Sequence, residues 1–471
     1  MGKYKRLLSN TAVLGAGTFA SKVLVLLLMP FYTSILSTAE FGTADLISQT
    51  ANLLIPLAAV GICDGIFRFT LDSATDKRKI LSTGLAILLT GSALMCGVAQ
   101  LLRLFGTLKD HVWLIILYVI AANLHLAFAN FIRAEGKNTL FAVQGIINTA
   151  LTIILNIVFL VGFDMSSVGY VLSVVVADFS LCIILFVVAK LYRSISFRDV
   201  DKKVAADMLK FSIPYIPTTI MWLVTSVSDR YIVTAYRSVE ENGLYAAAYK
   251  LPTLLSLVSG VFIEAWHFSA VKDSSDEERS GFFGMVYDNF MGFMFFCGAC
   301  IIAGAQIFTR ILLADSYFES WRYVPVLVIA TIFSTLVSFL GSVYFLKKKS
   351  ALSMLTAMAG AITNIILNFL LIPKWGAVGA AVATLVCYVL VYVIRAVNTK
   401  KYVSFDLHTL RLIINTLLLS TQMCLWFTTW QYGWIGQIVI PVLILAFNGK
   451  GIFLSVLKLA KGFLEKNSKK I

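Results

Sequence analysis

Fourteen long apolar segments dominate the sequence and restrict the chain to one class of fold. Each has about 20 or more residues, the length that an α-helix needs to cross the hydrocarbon core of a bilayer. The segments are 11–36, 44–69, 80–104, 111–134, 139–162, 167–191, 211–236, 244–268, 282–306, 323–346, 352–373, 376–398, 409–430 and 434–457. With 59% apolar and 14% charged residues, the chain has too little polar surface for a soluble protein of 471 residues. We therefore expect an all-α, polytopic membrane protein with about 14 transmembrane helices.

The distribution of basic residues supports this segmentation. If the N-terminus is cytoplasmic, 29 of the 39 Lys and Arg residues fall in cytoplasmic segments and only 6 in outer ones. This is the asymmetry that the positive-inside rule describes. We expect both termini in the cytoplasm. The net charge of +14 then follows from topology and does not indicate nucleic-acid binding.

Two pairs of short patterns indicate an internal repeat. The pattern S-x-x-E-x-G follows the first segment at 37–42 and the seventh at 238–243. The second pair matches Asn156, Val168 and Gly169 with Asn368, Val378 and Gly379. Since six segments separate the members of each pair, the repeats have the same orientation in the membrane, as in several transporter folds.

The repeat divides the chain into predicted domains. We expect two pseudo-symmetric six-helix lobes at 1–191 and 211–400, joined by a cytoplasmic linker at 192–210. Residues 401–471 then form two additional helices and a basic cytoplasmic tail. The boundary between the eleventh and twelfth segments is the least well defined.

Catalytic chemistry is not indicated. Cys297 and Cys300 have C-x-x-C spacing, but there is no second pair and the chain has only four histidines. We therefore expect no metal, redox site or cofactor, and interpret the cysteines as packing residues. A polysaccharide polymerase or ligase would need an ordered outer site, and no long outer loop or nucleophile–base spacing is apparent. We expect a protein that is not an enzyme.

Several stretches resemble one known family. They are L-S-T-A-E-F-G at 36–42, D-R-Y at 229–231, G-L-Y-A-A-A-Y-K at 243–250, F-I-E-A-W at 262–266, N-I-I-L-N at 364–368 and I-P-K-W-G-A-V-G-A-A at 372–381. Across nearly its whole length the chain resembles bacterial polysaccharide repeat-unit flippases, which serve O-antigen, capsule and exopolysaccharide synthesis. That family lies within the multidrug, oligosaccharidyl-lipid and polysaccharide exporter superfamily.

The resemblance implies a V-shaped pair of lobes that operates by alternating access. It implies transport of undecaprenyl-pyrophosphate-linked oligosaccharide across the bacterial cytoplasmic membrane, with a polysaccharide polymerase and a chain-length regulator as candidate partners. It also implies a lipid-tail groove formed by the two additional helices. Two alternatives in the same superfamily remain open: a lipid II-type flippase and a multidrug or cation antiporter.

Basic and amide side chains within the spans are candidate substrate ligands. A pyrophosphate inside the membrane needs cationic partners because an unpaired anion there is very costly. Lys22 in the first segment and Arg230 in the seventh would supply one cation to each lobe. The predicted substrate-binding residues are Lys22, Arg68, Arg230, Asn156 and Asn368. The alternatives are a structural ion pair for Arg230, snorkelling to the cytoplasmic interface for Arg68 and interhelical hydrogen bonds for the asparagines.

Acidic side chains within the spans are candidates for coupling transport to H⁺ or Na⁺, because a buried carboxylate can bind either ion. The predicted ion-coupling residues are Asp64, Asp178, Asp229, Glu264 and Asp288. Asp229 and Arg230 are neighbours on a helix and point about 100° apart, so we expect Asp229 to meet a different helix. Ion pairing with nearby basic residues is the alternative for the acids. His125 is interpreted as a hydrogen-bonded packing residue, with a proton relay as its alternative.

Overall fold

The computed structural model describes residues 24, 26–71, 76–104, 106–213, 216–270, 276–347, 349–428 and 432–449. The structure does not describe the side chains of residues 197, 218, 222, 226, 264, 265, 267–280, 345 and 350. Over these residues the chain forms helices and turns and no β-strand. The predicted all-α class is confirmed.

The helices follow one another with short connections. In chain order they are α1 Met29–Ile35, α2 Thr38–Ala58, α3 Ile62–Leu71, α4 Lys77–Val98, α5 Val112–Ala134, α6 Asn138–Asn156, α7 Ser166–Val188, α8 Lys202–Ser212, α9 Ile216–Tyr236, α10 Val239–Ala248, α11 Lys250–Ala270, α12 Asp276–Ala303, α13 Ala305–Leu312, α14 Val324–Leu346, α15 Ser350–Thr399, α16 Thr409–Phe427 and α17 Gly433–Gly449. α6 continues into a π-helical stretch at Ile157–Gly162.

Most of the helices coincide with the predicted apolar segments. The exceptions are α8, which lies mostly in the predicted linker, and α13, which lies mostly between the ninth and tenth segments. In the described part of the chain, eight helices are long and apolar enough to cross a membrane, or up to ten if each of two bent pairs is one span. One such pair is α2 and α3, which bend by 52° at Val60 and Gly61, where φ is positive. The polytopic membrane architecture is confirmed. The number of fourteen stays a prediction, because the first and last segments extend beyond the described residues.

The boundary between the eleventh and twelfth predicted segments, the least well defined in the sequence, lies inside α15. This helix has 50 residues, and a straight helix of that length would extend about 75 Å, far more than one bilayer crossing. Its regular backbone is interrupted at Gly376, where φ is 58° and ψ is −140°. The interruption falls at the first residue of the twelfth predicted segment, two residues from the boundary that the sequence left uncertain.

The chain divides into two compact units, Met1–Ala246 and Ala247–Ile471. In the first unit, α5 packs against α2, α3, α4 and α7. One apolar cluster includes Ile47, Leu114 and Val175, and a second includes Ile66 and Phe131. The predicted boundaries at 191, 210 and 400 stay predictions.

In the second unit, α14 packs against α11, α12 and α15. The rings of Trp266, Phe283 and Phe339 stack or meet edge to face beside it. α16 belongs to this unit: Trp426 Nε1 donates to the carbonyl of Ile302 at 2.8 Å. Hydrogen bonds to backbone carbonyls and ring packing therefore fix the helices of this unit to one another.

The residues of the predicted repeat have related structural roles. Ser37 caps α2 in a capping box with Glu40, and Ser238 Oγ accepts the backbone N–H of Glu241 at 3.2 Å. A Cβ at Gly169 would lie 3.2 Å from Phe159 Cβ, and one at Gly379 would lie 2.6 Å from the Leu371 carbonyl oxygen. Each of these two glycines thus permits close contact with the preceding helical segment.

Candidate functional site

Arg230 lies on α9 and is buried, with 5% of its surface exposed. Its Nε lies 3.0 Å from Oδ2 of Asp45 on α2. Its guanidinium carbon also lies 5.6 Å from the ring centroid of Tyr245 on α10, within cation–π distance. A buried guanidinium is therefore held between an acid and an aromatic face that come from two other helices.

Asp229 is fully buried beside it. Its Oδ2 accepts the hydroxyl of Tyr245 at 2.7 Å, and its Oδ1 accepts the backbone N–H of Arg230 at 2.9 Å. The prediction that Asp229 meets a different helix is confirmed. Tyr245 thus touches both charged neighbours, the acid through its hydroxyl and the guanidinium through its ring.

The next residue extends the same contact surface. The hydroxyl of Tyr231 shares a short hydrogen bond with that of Thr50 on α2. Asp229, Arg230 and Tyr231 therefore use three successive positions of α9 to contact α2 and α10. We call Asp45, Asp229, Arg230 and Tyr245 the Arg230 cluster. Chemically, it offers a planar cation that can bind phosphate, with a carboxylate already competing for it.

Asp178 on α7 forms a second polar cluster. Its Oδ1 lies 2.9 Å from Nδ1 of His125 on α5 and accepts Nδ2 of Asn148 on α6 at 3.0 Å. Nε2 of His125 lies 2.6 Å from Oε1 of Gln144. The predicted hydrogen bonding of His125 is confirmed. The structure joins it to an acid that the sequence singled out separately.

Asn156 and Asn368 are buried in their respective units. Asn156 Nδ2 donates to the Tyr32 hydroxyl at 3.3 Å and to the Thr152 carbonyl at 2.8 Å. Asn368 Nδ2 donates to Oδ1 of Asn364 at 3.0 Å. These contacts match the alternative of intramolecular hydrogen bonding. A sugar contact for either residue stays a prediction.

The remaining predicted residues are dispersed. Arg68 and Asp64 are exposed on α3, four residues apart and on one face. Asp288 on α12 pairs with Arg411 on α16, whose Nη1 lies 2.7 Å from Oδ1. This ion pair joins α16 to α12. Lys22 and the side chain of Glu264 lie outside the described residues.

Three residues of these clusters were missed in the sequence. Asp45 is the second residue of its predicted apolar segment, and a charge so close to the end of a span is common. Gln144 and Tyr245 are uncharged, and their sequence context does not distinguish them from packing residues. Asp45 lies close to Ser48, Gln49 and Thr50, and this polar run within a span was the available signal.

Comparison with known proteins agrees with this architecture. Residues 7–267 match the family model described as polysaccharide biosynthesis protein. The chain belongs to this family. The match includes the Arg230 cluster and the Asp178 cluster and confirms the resemblance seen in the sequence. By sequence, the chain matches no curated protein.

Solved structures share the fold. The lipid II flippase MurJ in an inward closed conformation has a TM-score of 0.69 at 16% identity, covering 95% of this chain and 100% of its own. An inward-facing multidrug resistance MATE transporter of the MOP superfamily has a TM-score of 0.63 at 11% identity, covering 81% and 95%. The MATE transporter DinF-BH in complex with R6G has a TM-score of 0.60 at 17% identity, covering 85% and 96%. The chain thus has the fold of flippases and multidrug transporters.

Proposed function

We propose that this protein is a flippase that moves undecaprenyl-pyrophosphate-linked oligosaccharide repeat units across the bacterial cytoplasmic membrane for surface polysaccharide synthesis. Membership of the polysaccharide biosynthesis family and the fold shared with a lipid II flippase support the proposal. The observation that carries it is the buried guanidinium of Arg230, placed between a carboxylate and an aromatic ring.

A pyrophosphate headgroup is a suitable partner for this guanidinium. Arginine presents planar N–H donors that match two phosphate oxygens, and charge-assisted hydrogen bonds are stronger than neutral ones. In the structure, Asp45 forms an ion pair with the guanidinium. In the proposed function, the pyrophosphate replaces Asp45 as the anionic partner of Arg230.

The exchange of anionic partners at Arg230 also explains how the pyrophosphate headgroup is released. An unpaired charge inside a membrane protein is costly, so a binding site that alternates between substrate and empty states needs an internal counter-ion. Asp45 would serve as that counter-ion when the headgroup departs. Asp229 keeps its hydrogen bonds to Tyr245 and to the backbone of α9. Its negative charge weakens the binding of the pyrophosphate to Arg230.

Complementation in a strain that lacks its polysaccharide flippase tests this function. Wild type and Arg230→Ala, Arg230→Lys and Arg237→Ala variants are compared at matched membrane levels, with surface polymer as the readout. Arg237 is exposed at the end of the same helix and serves as the control. We expect polymer with wild type and Arg237→Ala, and loss of polymer with both Arg230 variants.

The structural role of Arg230 needs a separate arm. In the double variant Asp45→Asn/Arg230→Gln both side chains are neutral. Neither substitution therefore leaves the other side chain as a buried charge that has lost this ion pair. If the double variant inserts and melts like wild type but exports no polymer, Arg230 acts on substrate. If it restores polymer, Arg230 is only a structural partner of Asp45 and the headgroup role is wrong.

Two further outcomes identify the alternatives. Wild type that fails with several glycans but lowers the drug sensitivity of a pump-deficient strain is an antiporter. Wild type that rescues depletion of a lipid II flippase is a flippase of that type.

Ion coupling is part of the proposal. Of the predicted acids, Asp178 has the surroundings best suited to it, since a titratable base lies against its carboxylate. The same role for Asp64, Asp229, Glu264 and Asp288 stays a prediction, as do the polymerase and chain-length regulator as partners.

A further inference from the structure

Three helices bring four polar side chains together around Asp178. His125 comes from α5, Gln144 and Asn148 from α6, and Asp178 from α7. The side chains of His125 and Asp178 are 14% and 9% exposed, so the pair is largely buried. A hydrogen-bonded acid and base in such a place constitute a site at which a proton can be bound and released.

The polarity of the contacts indicates which ion the cluster holds. The Asp178 carboxylate receives an amide N–H from Asn148 and faces Nδ1 of the imidazole. Hard metal cations require several oxygen ligands. Here nitrogen groups face the one carboxylate oxygen, and the described residues contain no group of three or more His, Cys, Asp or Glu side chains that could hold a metal ion. The surroundings suit a proton on the imidazole and not Na⁺ on the carboxylate.

Both imidazole nitrogens face oxygen atoms. Nδ1 faces the Asp178 carboxylate, which only accepts hydrogen bonds when ionised, and Nε2 faces Oε1 of Gln144. A neutral imidazole has one N–H and can satisfy only one of these two acceptors. The imidazolium has two and satisfies both. The geometry therefore matches protonated His125 beside ionised Asp178.

Within the part of the chain that the structure describes, two further titratable groups interact with Asp178, and neither is ordinarily charged at neutral pH. Tyr118 on α5 and Cys182 on α7 interact electrostatically with Asp178. Tyrosine and cysteine are ordinarily uncharged at pH 7. The two contacts from α6 are neutral amides.

We propose that His125 and Asp178 form a proton-binding site that couples transport to H⁺, with Gln144 and Asn148 as positioning residues. This inference rests on the proposed transport function for its coupling role. In each cycle the imidazole of His125 takes one proton from water on one side of the membrane and returns one proton to water on the other.

Proton loss would bias the conformation of the protein. With His125 protonated, the pair is neutral overall and connects α5 with α7. Without the proton, Asp178 is a carboxylate with reduced solvation whose partners among the described residues are neutral, which is costly. A conformation in which water reaches Asp178 then becomes more favourable. The proton thus acts as a ligand that binds one conformation more tightly than the other, and its binding and release shift the equilibrium between them.

The first test observes the proton directly and needs no substrate. The chain has four histidines, at 111, 125, 267 and 408. ¹⁵N-histidine NMR is recorded on the purified full-length chain carrying His111→Gln, His267→Gln and His408→Gln, which leaves His125 as the only signal. We expect both ring nitrogens to be protonated at pH 7. Adding Asp178→Asn should give neutral imidazole at that pH, whereas Asp110→Asn, an exposed acid before α5, should leave the spectrum unchanged.

A neutral His125 in this background at pH 7 overturns the proposal, as does a spectrum that Asp178→Asn leaves unchanged. The spectra are recorded in potassium chloride and in sodium chloride. A spectrum that changes with Na⁺ at constant pH would identify Na⁺ as the ion at this site and contradict the inference.

The second test addresses coupling. Polymer export in the complementation strain is measured at external pH 6 and pH 8, with and without Na⁺, for wild type, His125→Gln, Asp178→Asn and Asp110→Asn. We expect export by wild type and Asp110→Asn to depend on pH and not on Na⁺, and a loss of export for His125→Gln and Asp178→Asn. Export by both variants with an unchanged pH response would overturn the coupling role. If wild type exports no polymer, the flippase function fails while the NMR result still decides the proton site.

Discussion

Gly42 and Gly243 are 201 residues apart in the sequence and in direct backbone contact in the structure. An added Cβ at Gly42 would collide with the Val239 carbonyl oxygen, and one at Gly243 would collide with the Thr38 carbonyl oxygen. Thr38 and Val239 are also 201 residues apart, so the two halves of the contact are equivalent. Matching positions of the S-x-x-E-x-G repeat therefore pack against each other where α2 and α10 begin.

Alanine at either glycine should destabilise the protein. Gly42→Ala or Gly243→Ala is expected to cost about 1–3 kcal/mol, because the added methyl group must push two backbones apart. Thermal unfolding of the detergent-purified protein measures the effect. Gly260→Ala is the control, since an added Cβ there meets no atom within 4 Å and alanine favours a helix. Equal melting of all three variants would contradict the close contact.

The ion pair between Asp45 and Arg230 predicts strong coupling in a double-mutant cycle. Asp45→Ala and Arg230→Ala should each destabilise the protein, because each leaves a buried charge without its partner. The double variant should lose less than the sum, with a coupling of about 1–3 kcal/mol. Thermal unfolding of the four proteins in the same detergent measures it. Additive effects of the two substitutions would show that the side chains do not interact in solution.

The break in α15 predicts a specific requirement for glycine. At φ 58° and ψ −140°, Gly376 has a conformation that residues with a Cβ rarely adopt. Gly376→Ala should therefore destabilise the second unit by about 1–3 kcal/mol. Amide hydrogen exchange of residues 372–380 provides the measurement and should become faster. Lys374→Ala, two residues earlier, is the control for a change in the same segment. Unchanged exchange in Gly376→Ala would mean that the backbone is not restrained at this position.

Asp201 caps the start of α8, and we predict that the stability of this helix start depends on pH. Backbone N–H groups of Lys203 and Val204 and the ammonium of Lys79 lower the pKa of Asp201 below its ordinary value. A lowered pKa means that the ionised form stabilises the folded state above the unfolded pKa of about 3.9. This contribution is lost as the pH falls through the lower pKa of the folded state.

Asp201→Ala should thus reduce the protection of the α8 amides at pH 7, as measured by hydrogen exchange. The difference from wild type should disappear once the pH falls below the lowered pKa of Asp201 in the folded state. Asp207→Ala, an exposed acid within α8, should leave the start of the helix protected. A difference that persists in acid would indicate a cause other than the carboxylate.

The positions of the helices were predictable because spanning a bilayer imposes a length and an apolar composition on each segment. The predicted segments accordingly match the helices from α2 to α17 closely, except for the short helices α8 and α13, which lie mostly outside them. The break at Gly376 was less predictable, because both flanking segments are apolar and only two residues separate them. The bend between α2 and α3 was not predicted, since the apolar pattern continues through Val60 and Gly61.

Partners of the buried charges were harder to predict than their positions. A charge in an apolar segment is visible in the sequence, and Asp178, Asp229 and Arg230 were found in this way. Their partners come from other helices and include neutral side chains such as Gln144 and Tyr245. Which faces meet depends on helix rotation and tilt, which packing decides and composition does not.

The sequence by itself determined the membrane class, the course of the helices, the repeat and the family, because each depends on local composition or on short matching patterns. Only the tertiary structure decided that Arg230 pairs with Asp45, that His125 lies against Asp178, and that Gly42 meets Gly243. The physical reason is that the energetic effect of a buried charge, or of a glycine that lacks a Cβ, depends on the group that faces it from another helix. That group can be any number of residues away in the chain.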